Sequence, residues 1–309
     1  MTATSEHLAA IVATGQARVE TPFRRFVSDF FESTVAFGAF GVLLVIVFIA
    51  IFASWISPQN PYDLAVVDVM NARLEPGEQS WSGDLTFVLG SDGAGRDMLS
   101  AIFYGLRISL GVGVMSGIIA MLIGMTIGLA AAYFGGRTDT VIMRIVDLQL
   151  SFPAILIALV LIAILGKGID KVIIALVTVQ WAYYARTVRA SALVERRKEY
   201  MEAATCLALS HWRIVFRHLL PNCLPPMIVV GTLQTAHAIS LEATLSFLGL
   251  GLPQTEPSLG LLISNGFEYM LSGRYWISFF PGIALLVTIV SINLVGDRLR
   301  DVLNPRLER

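Results

Sequence analysis

Few side chains in this chain sit where an ionisable group costs energy. His237 lies inside the uncharged run 219–241, Glu242 directly follows it, and Gln180 lies within a second run, 172–185. A carboxylate at that depth has to face protein or a water-filled cavity. Glu242 therefore reads as a path-lining group or as a structural hydrogen bond near a helix end, and position alone does not separate the two. His237 and Gln180 join it as possible path residues, with His237 read first as a satisfied interior side chain. The remaining chemistry is sparse. There is no GxxxxGK[ST] phosphate loop, no HExxH, no GxSxG and no Cys/His cluster at metal spacing. The four histidines are scattered over separate segments. Leu271-Ser272-Gly273 sits in the last loop between apolar runs with no ATPase sequence around it and is discounted as an ATPase signature. Asp147 lacks a second intramembrane aspartate and is expected to pair with Arg144. His237 has no serine motif, so an intramembrane enzyme would lack its catalytic pair. A channel is the other competing class.

The elements that must position these groups are membrane helices. Hydrophobic residues make up 55% of the 309, charged residues only 15%, and mean hydropathy is +0.71; a soluble domain carries about 25% charged residues. The net charge of −1 offers no basic field for nucleic acid. Uncharged runs occupy 35–56, 108–136, 148–166, 172–185, 219–241 and 275–296. Five are long enough to span, at about 20 residues per crossing. The fourth has 14 residues and must extend through Arg186 and Arg189, whose long stems can reach the interface. An all-α protein with six spans is expected, with a polar tail at 1–34, an outer loop at 57–107 and a cytoplasmic loop at 190–222. The first run has no cleavage site at its end, so no signal peptide is read there. With the N-terminus inside, the inner segments hold 16 Lys/Arg and the outer segments 6, which the positive-inside rule favours. Trp55, Tyr275 and Trp276 then fall at the outer interface. Cys206 and Cys223 fall on the cytoplasmic side and are expected to be reduced. Gly113, Gly117, Gly124 and Gly128 lie within roughly 60° on one helix face. They form a close-approach seam within the chain or towards another subunit.

One polar stretch, 199–222, separates the fourth and fifth runs. Good helix formers fill 199–207. Ser210 can cap a second start, Arg213 and Arg217 make a basic pair four residues apart, and Pro221, Pro225 and Pro226 are expected to end the segment. Glu202-Ala203-Ala204, the small Ala208 and Leu220-Pro221 resemble the EAA loop of ABC-importer permeases. Gly90-Ser91-Asp92-Gly93-Ala94-Gly95-Arg96-Asp97, the run 245–251 (LSFLGLG) and the tail 296–306 (GDRLRD…NPR) resemble the dipeptide/oligopeptide (peptide/nickel) permeases, in particular their C-type subunit. The glycines and aspartates of the first motif suit a tight turn that caps the next helix.

The resemblance covers about residues 36–309 and implies a type I importer permease fold in a bacterial inner membrane. It implies that this subunit forms half of a heterodimer with a second permease. Two cytoplasmic ATPases would bind ATP and Mg, an extracytoplasmic binding protein would deliver solute, and this chain would hold no cofactor or metal. By the same resemblance, residues 199–222 form a coupling helix pair. Glu199 would belong to the coupling surface, Glu202 would pair with a basic group of the ATPase, and Ala203 and Ala204 would keep the helix slim. Ser210 and Pro221 would bound the second helix, and Arg213 and Arg217 would contact the ATPase or acidic lipid. Trp212 would be an apolar anchor or pack beneath the loop. The family usually has glycine where this chain has Ala208; if that residue is left-handed, alanine costs about 1 kcal/mol. Glu242 would hold a peptide's amino group or serve structure. Peptides are the implied cargo, with nickel chelates, glutathione or opines as alternatives.

Overall fold

Residues 22–63 and 65–303 are described by a computed structural model. The first 21 residues, with Arg18, and residues 304–309, with the Asn304-Pro305-Arg306 end of the tail motif, lie outside the described residues. The elements are α1 (Pro22–Glu32), α2 (Thr34–Ile56), α3 (Met98–Phe134), α4 (Gly136–Leu150), α5 (Ala154–Leu165), α6 (Ile169–Glu195), α7 (Glu199–Cys206), α8 (His211–Phe247), α9 (Leu259–Phe267) and α10 (Trp276–Leu303). Two isolated bridges, Gln79 with Thr86 and Ser91 with Asp97, are the β-pairing among the described residues.

Four helices, α2, α3, α8 and α10, are long and apolar enough to cross a membrane, and α4 with α5 makes a fifth candidate bent by 88° at its break. The sixth expected run lies within α6. That helix has 27 residues, but Gln180, Tyr183, Tyr184, Arg186 and Arg189 dilute its apolarity. The physical reason is enclosure. Val172, Leu176, Val179, Ala182, Ala185 and Val188 are buried against neighbouring helices, so α6 has less need of a lipid-compatible surface.

Its two arginines do not simply reach for the interface. Arg189 makes a two-pronged pair with Asp139 of α4, at 2.5 Å from both Nε and Nη2, and Arg186 pairs with Asp147. Asp147 is thus the partner of Arg186, not of Arg144. Sequence distance suggested the neighbour within one helix, whereas the bend of α4–α5 presents Asp147 to α6.

Two loop boundaries also move. α3 starts at Met98, ten residues before the uncharged run, because Arg107 is accommodated on α2. Its Nε donates to the Ala50 carbonyl at 2.9 Å and its Nη2 to that of Ile51 at 2.7 Å. The outer loop is therefore 57–97. Part of the expected tail is α1, which is held by Arg298 of α10: its guanidinium donates to the Asp29 and Phe30 carbonyls, the free acceptors at a helix C-terminus.

The GSDGAGRD stretch builds the turn expected of it. The Asp92 carboxylate accepts from Ala94 and Arg96 N–H at 2.8 and 2.9 Å, and the Asp97 carboxylate caps α3 through Ser100 N–H at 2.8 Å. Gly95 has φ +84°, and a Cβ there would fall 2.2 Å from the Asp68 carbonyl oxygen. Trp276 is buried under this turn and donates from Nε1 to the Ser91 carbonyl at 3.3 Å, so it does not join the outer aromatic belt. Trp55 and Tyr275 do remain exposed.

The glycine face of α3 serves packing within this chain. A Cβ on Gly124 would lie 2.4 Å from the Trp181 carbonyl oxygen, one on Gly128 2.4 Å from that of Ala185, and one on Gly113 2.5 Å from Ile239. Gly124→Leu should therefore lower the detergent melting temperature by several degrees or prevent insertion. Gly111→Ala, where a Cβ meets nothing within 4 Å, should leave the melt unchanged.

Candidate coupling segment

The polar stretch folds as two helical pieces around one strained residue. α7 has Glu199 and Glu202 in its first turn, where carboxylates complement the free N–H groups. Met201 and Ala204 turn inward, into a cluster with Ile214, Leu219, Cys223 and Met227, while Glu199, Glu202, Ala203 and Cys206 are exposed. Of the two alanines only Ala203 is presented outward. Ala204 lets α7 lie close to α8.

The break is a left-handed helix end. Ala208 has φ +49°, its N–H bonds to the Thr205 carbonyl at 3.0 Å, and Leu209 N–H reaches back to Ala204 at 3.3 Å. This pair of bonds satisfies carbonyls that a helix end leaves open. The left-handed geometry holds with alanine in place.

Two boundary expectations fail here. Ser210 precedes α8 without a side-chain capping bond, and Pro221 does not end the helix. α8 runs unbroken from His211 to Phe247, with the wider π geometry over Ile214–Leu219 just ahead of Pro221. The wider turn loosens the ladder where proline supplies no N–H. Asn222 Nδ2 adds a bond to the His218 carbonyl at 2.6 Å. Pro225 and Pro226 are also within the helix. The segment between helices is therefore 196–210, shorter than the 190–222 expected.

This segment is attached to the C-terminal end of α3. The Tyr133 hydroxyl hydrogen-bonds His211 Nδ1, Arg196 donates to the Ala132 carbonyl, and the Arg196 guanidinium sits 5.6 Å from the Tyr133 ring centroid. Behind it, Tyr200 donates to Glu195 at 2.6 Å and Lys198 pairs with Glu195 at 2.8 Å. Partial burial, then the Glu195 carboxylate, raises the Tyr200 phenol above its usual range, so it remains a donor. Glu202 and Arg196 line a cavity of about 420 Å³ with Tyr133, Phe134, Thr205 and His211. Trp212 does not pack beneath the loop. It is 74% exposed and stacks on Phe216 with centroids 5.0 Å apart. Arg213 and Arg217 are exposed beside it.

The three deep polar residues do not converge on one cavity. Glu242 has no exposed surface: it accepts from Ser109 at 3.0 Å and Ser246 at 2.7 Å, with Ser258 also against it. The enclosure holds α8 to α3 and to the start of α9, and in this conformation it leaves Glu242 off any open path. Gln180 is equally buried, and its amide has no hydrogen-bond partner among the described residues. His237 is exposed on α8 rather than interior. Ser246, four residues beyond Glu242 on the same helix, was the signal that the sequence offered, whereas Ser109 stands on α3 and only the fold brings it to Glu242.

With this geometry in place, the comparisons are specific. Residues 124–309 match the family described as binding-protein-dependent transport system inner membrane component, and residues 21–76 match the N-terminal TM domain of oligopeptide transport permease C. The chain belongs to this permease family. A Brucella suis protein named as a peptide transport system permease is 42% identical over 267 residues, 86% of each chain. The dipeptide transport system permease protein DppC of Escherichia coli K12 is 38% identical, over 94% of this chain and 95% of its own. The glutathione transport system permease protein GsiD of Pectobacterium atrosepticum is 35% identical over 97% of both. In fold, the permease resembles an inward-facing MetNI methionine ABC transporter chain, with TM-score 0.55, 22% identity, and cover of 66% of this chain and 97% of that one. It is an ABC-importer permease subunit of the dipeptide/oligopeptide group, C-type.

Left-handed Ala208 yields a direct test. Ala208→Gly should stabilise the permease by about 1 kcal/mol, read as a rise of a few degrees in the detergent melt. An unchanged or lowered melt would show that the turn holds alanine without strain.

Proposed function

We propose that this permease imports di- or oligopeptides and receives the ATPase stroke through residues 199–213. The observation that carries this reading is the attachment of a strained, exposed turn to two long helices at once. Exposed Glu199, Glu202, Ala203, Trp212, Arg213 and Arg217 offer a charged and aromatic surface to a partner. Tyr133, His211 and Arg196 tie that surface to α3, and the unbroken run into α8 makes any displacement of Trp212 a displacement of α8. Mechanically, a rigid helix transmits a push better than a flexible loop.

The assembly proposed is a heterodimer with a second permease subunit, two ATPases on the cytoplasmic side and a binding protein outside. ATP and Mg belong to the ATPases. Six crossings, counting the bent α4–α5 pair and α6, put both termini on one side, and the excess of Lys and Arg there assigns that side to the cytoplasm. His237, exposed on α8, is the residue we assign to the path, and Gln180, fully buried in this conformation, is assigned to it only where the helices part during the transport cycle. Glu242 is assigned a structural role, because its oxygens are already taken by serines. Peptides are favoured as cargo because DppC and the Brucella relative carry peptide names, while GsiD keeps glutathione in view. Nickel chelates and opines are the remaining alternatives, and the solute retained by the purified complex with its binding protein decides among them.

The role of the segment is tested by Glu202→Arg. Transport should fall at least tenfold, and the protein should remain in the membrane yet no longer retain its ATPases on purification. Transport that continues undiminished without the ATPases would support a channel instead. Orientation is tested separately by cysteine labelling. Cys206 is exposed and Cys223 buried, so a membrane-impermeant maleimide should label one site in inside-out vesicles and none in intact spheroplasts. Labelling from outside intact cells would reverse the topology.

A further inference from the structure

The cap over the N-terminal end of α3 carries more structure than a link between two helices requires. Its interior is fixed: Phe87, Ser91 and Asp97 are almost wholly buried, and Ser91 Oγ, Leu74 N–H and Trp276 Nε1 are joined in one hydrogen-bonded knot. On this rigid base stands a short hairpin closed by Ser80 N–H to Leu85 O at 2.7 Å and by the Gln79–Thr86 bridge. Trp81 is at its turn and is 80% exposed. The Asn71 side chain, itself buried, accepts from Trp81 N–H at 2.8 Å and holds the turn against the Val69–Asn71 3₁₀ turn. Val69 and Met70 on that turn are 70% and 65% exposed. Three large apolar side chains are thus held outward by a buried amide, which costs free energy in water unless something covers them.

The surrounding charge says what covers them. Asp63, Asp68, Glu75, Glu78 and Asp84 are exposed on the same cap, against a single exposed cation among its described residues, Arg73, which lies 5.6 Å from the Tyr269 ring centroid. A carboxylate-rich rim disfavours an anionic membrane surface and favours a protein face with lysines and arginines around an apolar contact. The cap is also at the opposite end of α3 from Tyr133, about 55 Å away for a helix of 37 residues. We propose that Trp81, Val69 and Met70, ringed by these carboxylates, form the surface on which the extracytoplasmic binding protein docks. This inference rests on the importer reading and its orientation, and adds where this subunit meets that partner.

The test uses the assembled transporter in lipid nanodiscs, titrated with its purified binding protein without added solute. Trp81→Ala combined with Val69→Ser should raise the half-maximal concentration for binding about tenfold or more. Glu78→Lys with Asp84→Lys should raise it too, by a factor that shrinks as salt is added. A photo-crosslinking amino acid at Met70 should capture the binding protein in the otherwise unaltered complex, which decides the matter if a substituted variant fails to assemble. Unchanged half-maximal concentrations, or capture of lipid or of the second permease subunit at Met70, would overturn the docking surface while leaving the importer reading standing. A binding protein that does not associate even with the unaltered complex would overturn both.

Discussion

The structure depends on the close approach of α3 to α6. At Gly124 and Gly128 the facing backbone lies where a side chain would begin, and at Gly113 the same face of α3 receives Ile239 of α8. In lipid, apolar side chains gain little from meeting each other, so intimate backbone contact must supply the attraction. Every other feature inherits this geometry. α6 can carry Gln180 because that face is buried and its two arginines because α4 presents Asp139 and Asp147 to them, and the C-terminal end of α3 is set beside the start of α8.

That placement explains why the polar segment is firm rather than a slack connection. Its turn is strained at Ala208, its inner face is apolar, and its two ends are tied to Tyr133 and Ala132. The π turn ahead of Pro221 has the same logic. A helix that must pass three prolines without breaking relaxes its ladder where N–H groups are missing, and neighbouring packing holds it in line.

Polar groups on the membrane helices divide into two kinds. Glu242 is fully supplied with hydroxyl donors and holds three elements in register. Asp139 and Asp147 hold the bent α4–α5 pair against α6 by ion pairs, and the partly sheltered Arg189–Asp139 pair is the stronger because it is two-pronged and less exposed to water. The Gln180 and His237 side chains form no hydrogen bond or ion pair among the described residues.

Legible in the chain before folding were the class of the protein, most of its membrane helices, the capping turn at Asp92–Asp97 and a helix break between residues 207 and 210, though not the left-handed backbone that Ala208 adopts there. These are local matters, set by apolar runs, by carboxylates beside free N–H groups and by a small residue after a helix. Tertiary structure alone decided the rest. Hydropathy measures readiness for lipid, so it could not see that the buried face of α6 has less need of it, nor that Arg107 would be received by α2 carbonyls ten residues into a helix. Proline lowers helix propensity in isolation, yet packing around Pro221, Pro225 and Pro226 kept α8 whole. Arg186 for Asp147, Ser109 for Glu242 and Ser91 for Trp276 stand on other elements, and no spacing along the chain encodes a contact that exists only once the helices have met.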